Sequence, residues 1–398
     1  MRQILWLFPF AASALAQYIP AGPVFPTSGG AGGAYAHYVA ITTASGQEGS
    51  SDSSNFPVVV NTGTLGIGAY FKNTANGGYI LNTVTQVGGN GGTEPADAVV
   101  GTTSTCSTLL PWETEYYAGV SVGSWILHVR LPTLHHSTAD TFYICFGASG
   151  VTTQQNTGSY APSAVWDTYA NAVYHVPNGS SLLLDDSTAN AFNLTNANST
   201  AATGEIDGGA ALNGSSAYLD LGTAMNAAFT AGTVSMWVKS AGGQTSYHND
   251  GGATGAVYGP FFVREKDASD TWVLLGFDSN NSSAHWFASL RGQWSTTVNN
   301  ITSSATQTAN WTHVAVTWDG SHFVLYINGA VDTSISSSAS LAATSVTYTR
   351  IGYWAGGYFD GSIDEVKNAT VARSADWIAA EYNNQKPSST FLTAGSLH

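Results

Sequence analysis

Residues Trp311 to Gly329 constrain the fold of this chain more than any other stretch. Trp311-Thr312-His313-Val314-Ala315-Val316-Thr317-Trp318 is a run of β-branched and aromatic residues. Asp319-Gly320-Ser321 breaks it, and His322-Phe323-Val324-Leu325-Tyr326-Ile327 resumes it before Asn328-Gly329. An Asn-Gly pair closing an apolar run marks a tight hairpin, because both central residues of a type I′ turn need positive φ. Both strands are apolar on alternating and partly on both faces, which suits the centre of a sandwich.

The same pattern of short apolar runs and polar turns extends over most of the 398 residues, enough for two domains with real cores. In the N-terminal half the strand-like runs are 38–42, 55–60, 110–117, 124–132 and 141–147. In the last of these Phe142, Ile144 and Phe146 share one face, with Tyr143 and Cys145 on the other. A polar connector over 151–164 follows, and from Val165 a longer series of strands begins. The one helix expected is Ser374 to Asn383, with Ser374 as N-cap. Residues 387–398 read as a tail. The expected fold class is all-β, two β-sandwich domains (37–150 and 165–386) with one short C-terminal helix.

Met1-Arg2-Gln3, the apolar Ile4–Ala12 and Ala14-Leu15-Ala16 have the form of a secretory signal, leaving an extended leader over 17–36. The apolar stretch is too short to span a bilayer. The expected location is therefore secreted, extracellular or at the cell surface, without membrane insertion. Only 9% of residues are charged, and the formal charge is −14. With no basic stripe, nucleic acid is excluded as an expected partner. Cys106 and Cys145 are the two cysteines. An oxidising compartment favours a bridge, which would contribute roughly 3–4 kcal/mol on the chain-entropy model; the alternative is two buried thiols.

Three motifs carry a family resemblance. The hairpin Trp311–Gly320 with Leu325–Gly329 resembles the central hairpin of laminin-G-like (concanavalin-type) jelly rolls. Phe359–Val366 resembles their closing strand, and Gly232–Lys239 an early core strand. The resemblance covers roughly Ala170 to Gln385 and implies a concanavalin-like jelly roll there. Phe56–Val60, Leu110–Glu115, Phe142–Gly147 and the ending Ala372–Gln385 are similar to a bacterial domain family of unknown function that often precedes such jelly rolls. Residues between Leu65 and Val100 fit that family poorly. The resemblance implies a fold and a secreted setting, not a reaction.

Glu205-Ile206-Asp207 looks like the start of the E-x-D-x-x-E strand of laminarinase-type glucanases, but the third position is Ala210. Without a second carboxylate on the same face the acid/base pair of a retaining glycosidase is incomplete. Asp364-Glu365 are adjacent, so on a regular strand they point to opposite faces, one to a loop or metal and one to backbone donors. Asp186, Asn190 and Asp364 are candidate ligands for one structural calcium, which takes six to eight oxygens; the alternative for 185–190 is a self-capping Asx turn. No other cofactor is expected. His135-His136 beside Asp140 reads as a solvated loop, and His175 and His313 as satisfied core histidines.

Exposed aromatics in loops are the expected ligand surface, since aromatic faces stack on sugar C–H groups while amides and carboxylates read hydroxyls. The candidates are Tyr247, Asn249, Asp250, Trp286, Arg291, Trp294, Tyr353 and Trp354. No catalytic residue is assigned. The leading expectation is a secreted, non-catalytic recognition or adhesion protein binding carbohydrate or a glycosylated surface. The first alternative is a glycan-active hydrolase or lyase using Glu113 and Glu115, which stand i, i+2 on one strand. The second is a structural subunit of an extracellular or cell-surface assembly that pairs its strand edges.

Overall fold

The computed structural model describes residues 35–86, 92–120, 123–177, 182–225, 230–241, 247–249, 256–265, 272–277, 284–291, 298–339 and 346–398. The stretch read as a signal, 1–16, and most of that read as a leader, 17–36, lie outside these residues.

Two antiparallel sheets face each other in the N-terminal half. One has four strands, in the order Leu392–Ala394, His37–Thr43, Thr141–Phe146, Ala98–Gly101. The other has three, in the order Ser53–Asn61, Ser124–Leu134, Trp112–Ala118. Their inward side chains form one apolar core, with Val39, Ile41, Phe142, Ile144 and Phe146 meeting Phe56, Val58, Leu127 and Val129. Burial of each such side chain contributes about 1.5–3 kcal/mol. Phe142, Ile144 and Phe146 share the inward face, as their spacing implies. Cys145 bonds to Cys106 across 39 residues of chain, so the oxidised alternative is the one found.

The C-terminal half is a concanavalin-like jelly roll of two eight-stranded antiparallel sheets around one core. The first sheet runs Thr195–Ala197, Tyr218–Gly222, Tyr348–Ile351, Ala256–Glu265, Trp272–Phe277, His285–Arg291, Val298–Thr306, and Tyr247–Asn249 pairs beside Ala256–Glu265. The second runs Thr200–Thr203, Gly208–Asn213, Asp360–Ala369, Gly232–Ser240, Thr312–Trp318, His322–Ile327, Ala330–Ser336, and Ala170–Tyr174 also pairs with Asp360–Ala369. The hairpin forms where the sequence places it. Asn328 and Gly329 both have positive φ, 50° and 77°, and Ile327 pairs with Ala330 across them. All seven residues of Thr312–Trp318 are buried because the strand has two covered faces. Val314, Val316 and Trp318 enter the core, while Ala315 meets Tyr326 and Ile378 of the C-terminal helix.

That helix, Ala375–Gln385, begins at Ser374, whose hydroxyl accepts the Trp377 N–H at 3.1 Å. It lies between the two sandwiches. Ala380 packs into the N-terminal core and Ile378 against the jelly roll. The chain then returns to the first domain, so residues 387–398 are not a tail. Phe391 is fully buried in the N-terminal core, and Leu392–Ala394 pairs with 41–43. A three-residue strand is too short to be legible by periodicity. Among the described residues no helix is long and apolar enough to cross a membrane.

Candidate functional site

The expected ligand residues divide sharply. Asp250 and Trp294 lie outside the described residues, and Tyr247 and Asn249 belong to a strand whose side chains are not described. Arg291 ends the strand His285–Arg291 and is half-buried. Trp286 is not a loop aromatic. It is 1% exposed, packed against Phe261 and Phe277 in the jelly-roll core, because its position on the strand faces inward. Trp354 is also buried, and its indole N–H donates to Glu265. Tyr353, its neighbour, turns outward and is half-buried.

Tyr353 belongs to a cluster whose other members, Tyr218, Tyr348, Arg350 and Tyr358, are not among the expected ligand residues. In Tyr218–Gly222 and Tyr348–Ile351, Leu219, Leu221 and Ile351 point into the core. Strand alternation therefore turns Tyr218, Asp220, Tyr348 and Arg350 to the outer face. Asp220 and Arg350 are paired across the two strands, with Nε 2.9 Å from Oδ2. The Arg350 guanidinium lies 4.2 Å from the Tyr348 ring centre and 5.1 Å from those of Tyr218 and Tyr353. Tyr218 and Tyr353 are 5.2 Å apart, and Tyr353 and Tyr358 4.7 Å, ring centre to ring centre. The tight turn at Ala355-Gly356, both at positive φ, brings Tyr358 back beside Tyr353. Beneath, the Tyr348 hydroxyl and the Trp354 indole donate to the same Glu265 oxygen, which anchors the small hairpin. Arg350 and Asp220 keep about a fifth of their side-chain surface in solvent, 22% and 21%. This is a half-open platform of aromatic rings around one cation, with an acid and a base able to exchange hydrogen bonds at its centre.

Two of the calcium candidates, Asp186 and Asp364, accept hydrogen bonds from protein donors. Asp186 Oδ1 accepts the N–H groups of Val173 and Thr188, while Oδ2 accepts the Thr188 hydroxyl and the Phe192 N–H. Asn190 donates its amide to the Asn171 carbonyl. Asp364 Oδ2 accepts from Glu205 and Ile206 N–H, and Oδ1 from Glu365 N–H. The paired histidines have separate partners: His135 Nδ1 lies 2.6 Å from Asp140 and His136 Nδ1 2.7 Å from Asp52.

Glu205 sits on the turn before Gly208–Asn213 and lines a cleft of about 400 Å³ with Asn61, Asn384 and Ser389. Burial raises its carboxyl to about 7, against the pull of Lys239. None of the other residues lining this cleft is acidic.

A second constellation lies where the two sandwiches meet. Glu113 and Glu115 come from Trp112–Ala118, His128 from Ser124–Leu134, His175 from the end of Ala170–Tyr174, and Glu365 from Asp360–Ala369. All five side chains are at most 1% exposed. His128 Nε2 is 2.9 Å from Glu115 Oε2, and His175 Nδ1 is 2.5 Å from Glu365 Oε1. His175 Nε2 is 3.7 Å from Glu113 Oε2, which accepts the Trp166 indole N–H at 2.7 Å. Lys367 Nζ lies 2.8 Å from Glu365 and 3.1 Å from Glu381. Glu365 has φ 51° at a bulge, so it leaves the regular alternation and reaches the interface. From the other side Glu113 and Glu115, two apart on Trp112–Ala118, reach the interface by ordinary strand alternation, and the register shifts between Thr114 and Tyr116.

Burial and the Glu365 charge push the Glu115 carboxyl well up. Burial, with His175 beside it, holds His128 well below the usual histidine range. Burial works against charge on His175, yet Glu365 and Glu113 carry it well above that range. For Glu365 burial is likewise outweighed, by His175 and Lys367, and its carboxyl is held low. Glu113 and Glu115 both lie in this layer, their side chains at most 1% exposed.

A family model for the concanavalin A-like lectin/glucanases superfamily matches residues 213–379. Among solved structures, the chain is similar to the fourth domain of an extracellular GH43 arabinanase from Geobacillus stearothermophilus, in complex with arabinotriose. That match has 22% identity and a TM-score of 0.41, covering 53% of this chain and 97% of that one. The CBM40 of the Ruminococcus gnavus IT-sialidase, bound to α2,3 sialyllactose, matches at 14% identity and a TM-score of 0.34, covering 44% and 96%. The ligand-binding domain of botulinum neurotoxin serotype D, in complex with N-acetylneuraminic acid, matches at 14% and 0.41, covering 56% and 53%. No curated protein sequence matches the chain.

Proposed function

We propose that this chain is a secreted, non-catalytic recognition protein that binds carbohydrate or a glycosylated surface through the platform around Tyr353. The observation that carries the reading is the grouping of Tyr218, Tyr353 and Tyr358 about Arg350 and Asp220 on the outer face of one jelly-roll sheet. Rings so placed offer faces to pyranose C–H groups, and the acid–base pair can exchange its mutual hydrogen bond for sugar hydroxyls. The match of 213–379 to a superfamily that includes lectins supports this direction. Hydrolysis is disfavoured by chemistry: Glu205 has no second carboxylate in its cleft, and Glu113 and Glu115 are sealed.

The test is a glycan array on the full secreted chain, with calcium and with chelator, followed by titration of any hit. Tyr353→Ala and Arg350→Ala should each weaken binding about tenfold or more, the loss of a stacking or charge-assisted contact. An array blank under both conditions, or a hit indifferent to both substitutions, would sink the reading.

A further inference from the structure

The layer between the two sandwiches holds more than packing requires. Glu115, His128, His175 and Glu365 each offer one donor atom, and these four atoms lie within 4.8 Å of one another. Two donors come from each sandwich. Three polar atoms in this group, Glu115 Oε1, His128 Nδ1 and His175 Nε2, are buried with no hydrogen-bond partner, His175 Nε2 having only the longer contact of 3.7 Å to Glu113. A buried polar atom left unpaired costs about 1–3 kcal/mol, so three in one place call for an explanation. Charge points the same way. Glu113, Glu115, Asp364, Glu365 and Glu381 are all buried in or beside this layer; Lys367 meets two of them, Glu365 and Glu381, and His175 faces Glu365 and Glu113. Carboxylates removed from water need compensating cations.

We propose that Glu115, His128, His175 and Glu365 form a structural zinc site that clasps the two sandwiches together. Two imidazoles and two carboxylates are a donor set that zinc takes, at bonds of about 2.0–2.2 Å and donor separations near 3.3 Å for a tetrahedron. Calcium and magnesium prefer all-oxygen shells, which two imidazoles do not supply. The site is closed: its four side chains are at most 1% exposed, leaving no position for substrate or exchangeable water. Closed four-ligand sites are structural rather than catalytic. The ion would replace the present Glu115–His128 and His175–Glu365 hydrogen bonds. Glu113, with one oxygen on the Trp166 indole, would then stand outside the ligand shell as a support.

The experiment uses the untagged full chain, secreted into zinc-supplemented medium and purified without chelator, with metal counted by mass spectrometry. The expected result is about one zinc per wild-type chain, and under about a tenth in folded Glu115→Gln and His128→Gln. His135→Ala/His136→Ala, which removes exposed histidines, should keep the full equivalent. Wild type carrying under about a tenth of an equivalent overturns the site, as does full loading of the two ligand variants or loss in the surface variant. Should neither ligand variant fold, the wild-type count and cobalt(II) loading decide. The visible bands of a four-coordinate N/O site support the clasp, and their absence overturns it.

Discussion

Asn384, on the C-terminal helix, meets Val59 of the N-terminal sandwich as a neighbouring strand would. Its Oδ1 accepts the Val59 N–H at 2.7 Å, and its Nδ2 donates to the Val59 carbonyl at 3.0 Å. The same helix bonds the jelly roll through Gln385, which accepts the Trp237 indole N–H at 2.7 Å, and through Glu381 to Ser235 and Lys367. Both bonds to Val59 are buried, so losing them strands a buried donor and acceptor. Asn384→Ala should lower stability by about 2–3 kcal/mol. It should also separate the unfolding of the two sandwiches. Calorimetry checks this: a single transition unchanged in midpoint would contradict it.

The C-terminal strand leads to a second expectation. Removing residues 387–398 takes Phe391 from the N-terminal core and uncovers the edge of His37–Thr43. Loss of one buried phenylalanine alone costs about 3–5 kcal/mol. A bared edge also invites pairing between chains. The truncated chain should therefore melt earlier and elute partly as oligomers in size exclusion, whereas a dispensable tail would leave both measurements unchanged.

The Cys106–Cys145 bond closes a loop of 39 residues within the N-terminal sandwich. Cys106→Ser/Cys145→Ser should destabilise that sandwich by roughly 4 kcal/mol on the chain-entropy model. The loss should appear as a lower urea midpoint for N-terminal probes, with the jelly roll less affected. Equal midpoints in oxidised and substituted protein would argue against it.

What could be read from the sequence was local. The Asn328-Gly329 turn, the Ser374 cap and the inward face of Phe142, Ile144 and Phe146 each depend on residues within a few positions. The interdomain cluster depends on four strands spread from Trp112 to Ala369, and no spacing rule joins them. Asp364-Glu365 misleads because strand alternation assumes a regular strand, and the bulge at Glu365 breaks it. The platform around Tyr353 was partly legible. The alternation in Tyr218-Leu219-Asp220-Leu221 and Tyr348-Thr349-Arg350-Ile351 already puts tyrosine with an acid, and tyrosine with a base, on one face. What it could not show is that the two strands are neighbours.

Glu94 makes stability depend on pH. It is 2% exposed, accepting amide N–H bonds from Gln154 at 2.6 Å and Asn156 at 3.2 Å. Burial raises its carboxyl to about 7 despite those bonds, whereas the ordinary value is 4.5. Between these two values the folded chain keeps a proton that the unfolded chain has lost. Stability from this group is therefore greatest below about pH 4.5, falls as pH rises, and is lost above about 7. The full span corresponds to roughly 3 kcal/mol at 1.4 kcal/mol per unit, an upper bound for a group that can relax toward water. Glu94→Gln stays neutral throughout, so the stability difference between variant and wild type should grow in the variant's favour from pH 4.5 to 7.5. Urea unfolding at both pH values measures it, and a difference that stays constant or shrinks would refute the assignment.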